Sequence, residues 1–131
     1  MPNNLNFETC GDLEIAQFVA NNPDLFSEPV TSDKVQVLMA PSVELFRLPA
    51  GFAYVHRTQR SGLVLWYIYS SAPGTARALV QKIRGKYPHD KLSLLCRGDV
   101  RKAIFLRLGF ALNSSEPNGD NTMTAPPLAQ R

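Results

Sequence analysis

One short stretch of the sequence has the composition of a phosphate-binding turn. Residues 71–76 read Ser-Ala-Pro-Gly-Thr-Ala, and they stand between an apolar run at 63–69 and a basic amphipathic segment at 75–87. Gly74 lets the backbone approach a ligand closely because glycine has no Cβ. The N–H groups at the start of the following helix have no intrahelical acceptors, so they attract anions. The stretch therefore predicts a binding site for a phosphorylated ligand.

The elements around this turn are expected to form a strand–helix–strand unit followed by a second helix. Residues 63–69 are apolar throughout, which is typical of a central strand covered on both faces. The helix is predicted over 75–87 and the second, shorter strand over 92–96. If the two strands are neighbours, a connection through a helix makes them parallel. Asp99 is expected to cap the last helix.

The N-terminal half predicts helices followed by an antiparallel meander. Asp12 is expected to cap a helix that runs to about Asn22. Residues 34–40 could form a short helix or a strand, and the capping residues before them favour the helix. Residues 43–48 and 52–57 read as the two strands of a hairpin, which leads into the central strand. The whole pattern predicts an α+β protein with a mixed sheet.

Charge is distributed unevenly along the chain, although the formal net charge is only +3. Positions 1–46 hold seven acids and a single base, Lys34, whereas positions 75–110 hold two acids. The nine bases of positions 75–110 are Arg77, Lys82, Arg84, Lys86, Lys91, Arg97, Arg101, Lys102 and Arg107. This asymmetry predicts an anionic partner for the C-terminal half, but a solvated basic helix face gives the same pattern.

The overall composition is that of a soluble globular protein, with 44% hydrophobic and 19% charged residues. The first residues show neither the basic nor the apolar region of a secretory signal, so a cytoplasmic protein is expected. No apolar run approaches the length of a membrane span, so no membrane partner is expected. Cys10 and Cys96 are expected to be reduced, structural thiols, and the sequence has no metal-ligand spacing, so no metal is predicted.

The turn and the end of the last helix together resemble the GNAT superfamily of acyl-CoA-dependent N-acetyltransferases. In that family a turn of the form (Gln/Arg)-x-x-Gly-x-(Gly/Ala) cradles the pyrophosphate of coenzyme A. Here Gly74 and Ala76 match the two small positions, while Ser71 replaces the leading Gln or Arg. The closing Ala-Ile-Phe-Leu-Arg-Leu-Gly-Phe at 103–110 is also similar, and the resemblance covers about 63–110.

The resemblance implies a GNAT-like fold, with N-terminal helices, an antiparallel meander, a central strand and a β-α-β-α C-terminal half. Residues 1–112 are expected to form this single domain. After Leu112 the composition changes to Asn, Ser, Gly, Pro and Thr. Residues 113–131 are therefore predicted to be a flexible tail.

The same resemblance implies an N-acetyltransferase that moves an acetyl group from acetyl-CoA to an amine. The acceptor is expected to be a small molecule or a protein. The residues implied in binding acetyl-CoA are Tyr69, Ser70, Ser71, Gly74, Thr75, Ala76, Arg77 and Phe105.

Direct attack of an amine on a thioester needs a base that takes a proton and an acid that meets the departing thiolate. Many family members use a tyrosine of the last helix as the acid. Here Phe105 and Leu106 occupy that place, and neither side chain donates a proton. The candidate replacements are Tyr69, Ser70 and Cys96, of which Tyr69 is preferred. Glu44 and His56 are the candidate bases. Trp66 and Tyr67 are expected either to line a substrate channel or to belong to the core.

Two other functions are consistent with these residues. A catalytically inactive GNAT-fold binding or structural protein, such as a phage-encoded one, is favoured by the missing Gln/Arg and the missing tyrosine. A nucleic-acid-binding domain would use the basic half and bind in a strongly salt-dependent way. Against that reading, the bases are not interleaved with aromatic residues on which nucleobases stack.

Overall fold

The computed structural model describes residues 6–26, 33–58 and 62–128. Its helices are α1 (Asp12–Asn21), a 3₁₀ turn (Pro23–Phe26), α2 (Lys34–Leu38), α3 (Thr75–Lys86) and α4 (Asp99–Arg107). Its strands are β1 (Val43–Leu48), β2 (Gly51–Thr58), β3 (Gly62–Ser70), β4 (Leu92–Arg97), β5 (Ala111–Ser115) and β6 (Asp120–Ala125). Among the described residues, no helix combines the length and apolar character needed to cross a membrane.

The strands form one mixed sheet in the order β1-β2-β3-β4-β6-β5. The pairs β1–β2 and β2–β3 are antiparallel, which confirms the predicted meander. β3 and β4 are parallel and are connected through α3, as the strand–helix–strand pattern predicts. The predicted α+β class with a mixed sheet is therefore confirmed.

The sheet separates two layers of apolar side chains. The α1 layer contains Ile15, Ala16 and Val19 of α1 packed on Phe52, Tyr54 and Tyr67. The α3 layer contains Leu79, Val80 and Ile83 of α3, Phe105 of α4 and the buried residues Leu63, Leu65, Leu92 and Leu94. β3 contributes to both layers, which confirms its predicted central position. Cys10 packs on the α1 layer and Cys96 lies in the α3 layer, so the sheet keeps the two thiols apart.

Glycines, rather than aspartates, stand at the starts of α1 and α4. The N-cap residues are Gly11 and Gly98, so the expectation that Asp12 and Asp99 cap these helices is wrong. Each aspartate is instead the first residue inside its helix, where a carboxylate still interacts favourably with the helix dipole. At α1, a Glu14 carboxylate oxygen accepts the Gly11 N–H at 2.9 Å.

The predicted flexible tail at 113–131 is wrong over most of its described length. Residues 111–115 and 120–125 form the β5–β6 hairpin, and β6 pairs along its whole length with β4. Asn121, Met123 and Ala125 alternate inward and are buried. The small polar residues between them face outward, so the composition resembled a tail although the alternation is that of a half-buried strand. Residues 129–131 lie outside the described residues.

The hairpin therefore belongs to the core, and substitution of its inward side chain tests this. We expect Met123→Ala to lower the free energy of unfolding by about 2–5 kcal/mol, because it opens a cavity beside fully buried neighbours. Leu128→Ala is the control, since that side chain is 58% exposed, and it should change stability by less than about 0.5 kcal/mol. Urea denaturation of the wild type, Met123→Ala and Leu128→Ala measures the two changes in unfolding free energy. Equal losses of stability in the two variants would contradict a buried hairpin.

Candidate functional site

The two parallel strands at the centre of the sheet separate along half of their length. β3 and β4 pair only where Leu63–Leu65 face Leu92–Leu94, although β3 continues to Ser70. The register between β2 and β3 shifts at Tyr54/Val55, which leaves Trp66 as an extra residue in β3. Such a bulge bends a strand and increases its twist. The strands consequently diverge toward their C-terminal ends.

The separation leaves a cleft of about 300 Å³ in the sheet. Val64, Leu65, Trp66 and Tyr67 line it on the β3 side, and Leu95 lines it on the β4 side. Leu95 is 64% exposed, which is unusual for a leucine next to a central strand. The cleft is thus an apolar slot that is open to solvent. Its volume suits an extended, unbranched part of a ligand rather than a bulky one.

The turn predicted to bind phosphate follows the divergent end of β3. Gly74 is the N-cap of α3 and has φ 83°, a left-handed conformation that favours glycine. A Cβ built on Gly74 would have no heavy atom within 4 Å, so the space above the turn is open. No side chain caps the helix, and no acidic residue lies in its first turn. The end of α3 therefore carries uncompensated positive potential.

Backbone N–H groups at the N-terminal end of α3 add to this positive potential. The N–H of Thr75 donates weakly to the Ala72 carbonyl at 3.3 Å. For the next two groups, the N–H of Ala76 and of Arg77, no acceptor is present among the described residues. Two orphan donors, an open approach and the positive end of a helix dipole together fit a phosphate oxygen.

Two serines fix the turn to the rest of the sheet. The Ser71 N–H and hydroxyl both donate to the Ala50 carbonyl, at 2.8 and 3.0 Å. The Ser70 hydroxyl donates to the Ala72 carbonyl at 2.8 Å. Next to Ala50, a Cβ on Gly51 would lie 2.2 Å from the Tyr69 carbonyl oxygen, so only glycine permits this close approach. Both serines therefore position the turn through their hydroxyl groups.

Arg77 connects the starting turn of α3 to the end of α4. Its guanidinium donates to the Arg107 carbonyl at 3.0 Å. A cation at the N-terminal end of a helix is unfavourable for that helix, whereas the C-terminal carbonyls of α4 attract it. The positive charge of Arg77 therefore lies between two helices, close to the orphan N–H groups of its own helix.

Tyr69 lies at the end of β3 and packs into the α1 layer. Its ring makes aromatic contacts with Phe7, Phe18 and Phe52, with centroid distances of 5.7, 5.1 and 5.7 Å. Such contacts orient the ring and hold it in place. The structure therefore places Tyr69 beside the turn, three residues beyond Trp66, with its ring held on the α1 side of the sheet.

His56 lies in β2, on the side of β3 opposite the cleft, and not at the turn. Its imidazole stacks on the Trp66 indole, with 4.5 Å between ring centroids and 14° between ring planes. His56 pairs with Val64 across the β2–β3 ladder, whereas Phe52 pairs with Tyr69. Four residues of strand separate His56 from Phe52, a distance of about 13 Å. His56 and Tyr69 are therefore at opposite ends of the divergent segment.

Glu44 lies on the other side of the sheet, at the far end of α3. Its carboxylate accepts hydrogen bonds from the Lys86 ammonium and the Tyr87 hydroxyl. Burial raises the pKa of Glu44, but these hydrogen bonds and the charges of Lys86 and Arg57 outweigh it, so the net pKa lies below the ordinary 4.5. About the length of α3, roughly 18 Å, separates Glu44 from Gly74. The structure does not bring Glu44 together with the other candidate residues.

Phe105 is buried in the α3 layer against Phe110, with 5.6 Å between ring centroids. The next residue, Leu106, is 47% exposed. Neither residue supplies a hydroxyl to the cleft. α4 therefore contributes apolar surface at the place where the resemblance implies a proton donor.

Two tyrosines near the cleft were not among the predicted catalytic or acetyl-CoA-binding residues. The Tyr67 hydroxyl accepts a hydrogen bond from the Lys34 ammonium at 2.5 Å. The Tyr54 hydroxyl is buried and has no hydrogen-bond partner among the described residues, and burial raises its pKa to about 12. The sequence indicates Tyr67 and its neighbour Trp66 as residues of either a substrate channel or the core, and both line the cleft. The spacing of Tyr54 in β2 indicates only an inward-facing side chain.

Four bases of α3 are occupied in fastening that helix. Lys82 donates to the Arg47 carbonyl at 3.0 Å and Arg84 donates to the Pro126 carbonyl at 2.7 Å. Arg77 and Lys86 make the contacts with α4 and β1 described above. Much of the basic pattern of this helix is thus explained by contacts within the protein, which weakens the case for a nucleic-acid interface on α3.

Known structures share this arrangement. An acetyltransferase from Thermus thermophilus aligns with 87% of this chain and 92% of its own, with a TM-score of 0.65 and 14% identity. The ribosomal-protein-S18-alanine N-acetyltransferase from Escherichia coli aligns with 92% of this chain and 90% of its own, with a TM-score of 0.68 and 20% identity. No family model and no curated protein sequence matches the chain. At these identities the likeness establishes the fold, and the chain has the GNAT acetyltransferase fold that the sequence predicted.

The Glu44 cluster predicts a pH-dependent stability. Because the pKa of Glu44 is lowered in the folded state, its stabilisation is present above the unfolded pKa and is lost as the pH falls through the folded pKa. We expect Glu44→Gln to cost about 1–2 kcal/mol of unfolding free energy at pH 7, and progressively less below about pH 4.5. Urea denaturation at a series of pH values measures this difference.

Glu116→Gln is the matched control, since Glu116 is an exposed acid in the turn between β5 and β6. It should leave the pH dependence of stability unchanged. A difference between wild type and Glu44→Gln that stays constant from pH 7 to pH 3 would contradict the ionised cluster.

Proposed function

We propose that this protein is an N-acetyltransferase that transfers the acetyl group of acetyl-CoA to an amine. The observation that carries the proposal is the position of two features at one end of the sheet. The apolar cleft between β3 and β4 and the open Gly74 turn both lie at the C-terminal ends of parallel strands. This is where α/β sheets commonly bind ligands.

The residues present fit an extended ligand with a phosphorylated end and a narrow apolar end. The N–H groups of Ala76 and Arg77 and the open space at Gly74 suit a pyrophosphate. The slot lined by Val64, Trp66 and Leu95 suits the thioester arm. The fold shared with two acetyltransferases supports the same ligand.

When bound, acetyl-CoA supplies the thioester that the amine attacks. Val64, Trp66 and Leu95 would exclude water from this part of the cleft. His56, stacked on Trp66, is the residue we assign to taking a proton from the substrate ammonium, so that the free amine can attack the thioester carbon. Tyr69 is not assigned to the departing thiolate, because its ring packs on Phe7, Phe18 and Phe52 at the opposite end of the divergent segment from His56. Solvent, to which the cleft is open, would supply the proton to the departing thiolate. Glu44 is not given a catalytic role, because its carboxylate is bonded to Lys86 and Tyr87.

A catalytically silent binding protein is the second candidate. The observation that favours it is the absence of a hydroxyl from α4, where Phe105 is buried and Leu106 is apolar. Both candidates keep the turn, so they differ in turnover rather than in acetyl-CoA binding. Calorimetry with acetyl-CoA followed by an assay against a panel of amines distinguishes them; the panel includes an alanine-initiated peptide, the acceptor named for the E. coli neighbour.

The turn is tested by two nearly isosteric substitutions that differ in charge. Asn and Asp both tolerate the left-handed conformation of Gly74, so backbone strain is similar in Gly74→Asn and Gly74→Asp. We expect wild type to bind acetyl-CoA with one-to-one stoichiometry, Gly74→Asn to bind a few-fold more weakly, and Gly74→Asp to bind at least tenfold more weakly than Gly74→Asn. Calorimetry at low and moderate salt measures all three.

A third variant is expected to bind acetyl-CoA more tightly than the wild type. Ser71→Arg keeps the backbone bond to Ala50 and adds a guanidinium beside the proposed phosphate site, so it should strengthen binding. Equal affinities of Gly74→Asp and Gly74→Asn for acetyl-CoA would contradict pyrophosphate binding at the Gly74 turn. A folded wild-type protein without acetyl-CoA affinity would refute both the enzyme and the silent acetyl-CoA-binding form.

The proposed base is tested on any amine of the panel that gives turnover. We expect His56→Gln to lower kcat by about a hundredfold and to remove one limb of the pH–rate profile, because glutamine cannot accept the proton. Affinity for acetyl-CoA should stay within about twofold of wild type. Unchanged kcat with an unchanged pH profile would exclude His56 from proton transfer.

A further inference from the structure

We propose that the outer edge of β1 binds an extended, acidic segment of another polypeptide as an additional strand of the sheet. β1 is the first strand of the sheet order, so its outer side has no strand neighbour among the described residues. A groove of about 780 Å³ runs along this edge and is bounded by α3. It is separate from the cleft between β3 and β4 and does not depend on the proposed transferase activity.

The register of β1 identifies which backbone groups face the groove. In an antiparallel ladder, alternate residues direct their N–H and C=O toward the neighbouring strand. The Arg57 N–H donates to the Ser42 carbonyl at 2.9 Å, so Ser42, Glu44 and Phe46 face β2. The intervening residues Val43, Leu45 and Arg47 therefore face outward. The contact between the Lys82 ammonium and the Arg47 carbonyl confirms this assignment, because Lys82 approaches from the groove.

Several of these outward groups have no partner among the described residues. The Val43 N–H is used, since it donates to the Ala40 carbonyl at 3.0 Å. The N–H and C=O of Leu45, the C=O of Val43 and the N–H of Arg47 make no hydrogen bond within residues 6–26, 33–58 and 62–128. Opposite Leu45, an antiparallel strand would exchange two hydrogen bonds, with one further bond on each side. The edge is thus prepared for a strand centred on Leu45.

The charge of the groove selects an acidic occupant. Arg47 pairs with Asp12, and Lys86 pairs with Glu44, so these four charges are balanced. Arg57 and Lys82 also line the groove and donate to the carbonyls of Pro41 and Arg47, without a carboxylate partner in the described part of the chain. Arg57 also interacts electrostatically with Glu44, but Lys86 already pairs with that carboxylate, so the four bases and two acids that line the groove leave a surplus of two positive charges. Acidic side chains of a docked strand would neutralise both.

The same charges argue against a second copy of this chain. Pairing β1 with its symmetry mate would bring Arg57 and Lys82 of one protomer close to those of the other, which is repulsive. The opposite edge, β5, is fully exposed and lacks basic residues in its strand, so charge distinguishes β1 as the site for an acidic segment.

Synthetic peptides test the proposal on the full-length protein. The probe is a ten-residue peptide that alternates Glu with Val, and the matched control alternates Lys with Val. We expect one-to-one binding of the acidic peptide in calorimetry and no binding of the basic one. Arg57→Glu combined with Lys82→Glu should weaken the acidic peptide at least tenfold, whereas Lys91→Glu, an exposed change at the start of β4, should have less than a twofold effect.

A backbone variant tests strand addition itself. Leu45→Pro removes the central outward N–H, and proline is tolerated on strand edges, so peptide binding should be lost while the circular dichroism spectrum is kept. If this variant does not fold, the comparison of the Arg57→Glu and Lys82→Glu double variant with Lys91→Glu decides whether the groove binds the acidic peptide. Equal binding of both peptides, or of neither, overturns the proposal. Tighter binding of a ten-nucleotide oligothymidine than of the acidic peptide, or dimers of the wild type in analytical ultracentrifugation, overturns it in favour of nucleic acid or a second copy.

Discussion

The short pairing between β3 and β4 is the constraint on which the proposed site depends. Three residues of each strand are paired, and the bulge at Trp66 then turns β3 away from β4. A fully paired parallel sheet would leave no opening between its central strands. The turn at Gly74 follows the divergent end of β3, so the cleft and the turn proposed to bind phosphate lie next to one local irregularity of the sheet. Gly51 permits it, because the Tyr69 carbonyl occupies the space that a Cβ would fill.

Electrostatics in this protein acts mainly by holding the layers together. The acidic N-terminal half and the basic α3 meet across the sheet edge, where Glu44 contacts Lys86 and Tyr87. Other α3 bases bind backbone carbonyls of β1, of α4 and of the segment after β6. An uneven charge pattern along a sequence therefore has a structural origin here as well as a functional one. The positive charge that remains available to a partner is the small surplus in the groove beside β1.

Much of the fold could be predicted from the sequence because its patterns are local. The apolar run at 63–69, the glycine turn and the amphipathic helix follow each other directly, and their order fixes a parallel connection. The β5–β6 hairpin could not be recognised, because Asn121 is buried through contacts with residues outside its own strand. Its amide donates to the carbonyls of Cys96, Gly98 and Gly119, and its side-chain oxygen accepts from the Ser115 hydroxyl. The candidate site was predicted in part. The turn lies where expected, whereas the cleft depends on a register between strands that no single segment encodes.

The position of β6 has a consequence for how the chain is made. β6 is the last strand along the described chain, yet it lies in the sheet next to β4. A polypeptide emerging from the ribosome can form β1 to β3 and α3 while one side of β4 still lacks a neighbour. Until residues 120–125 emerge, an apolar inner strand presents unpaired backbone groups to solvent and to other nascent chains. The emergence of residues 120–125 therefore closes a surface that is prone to aggregation, because β6 then pairs with the open side of β4 along its whole length.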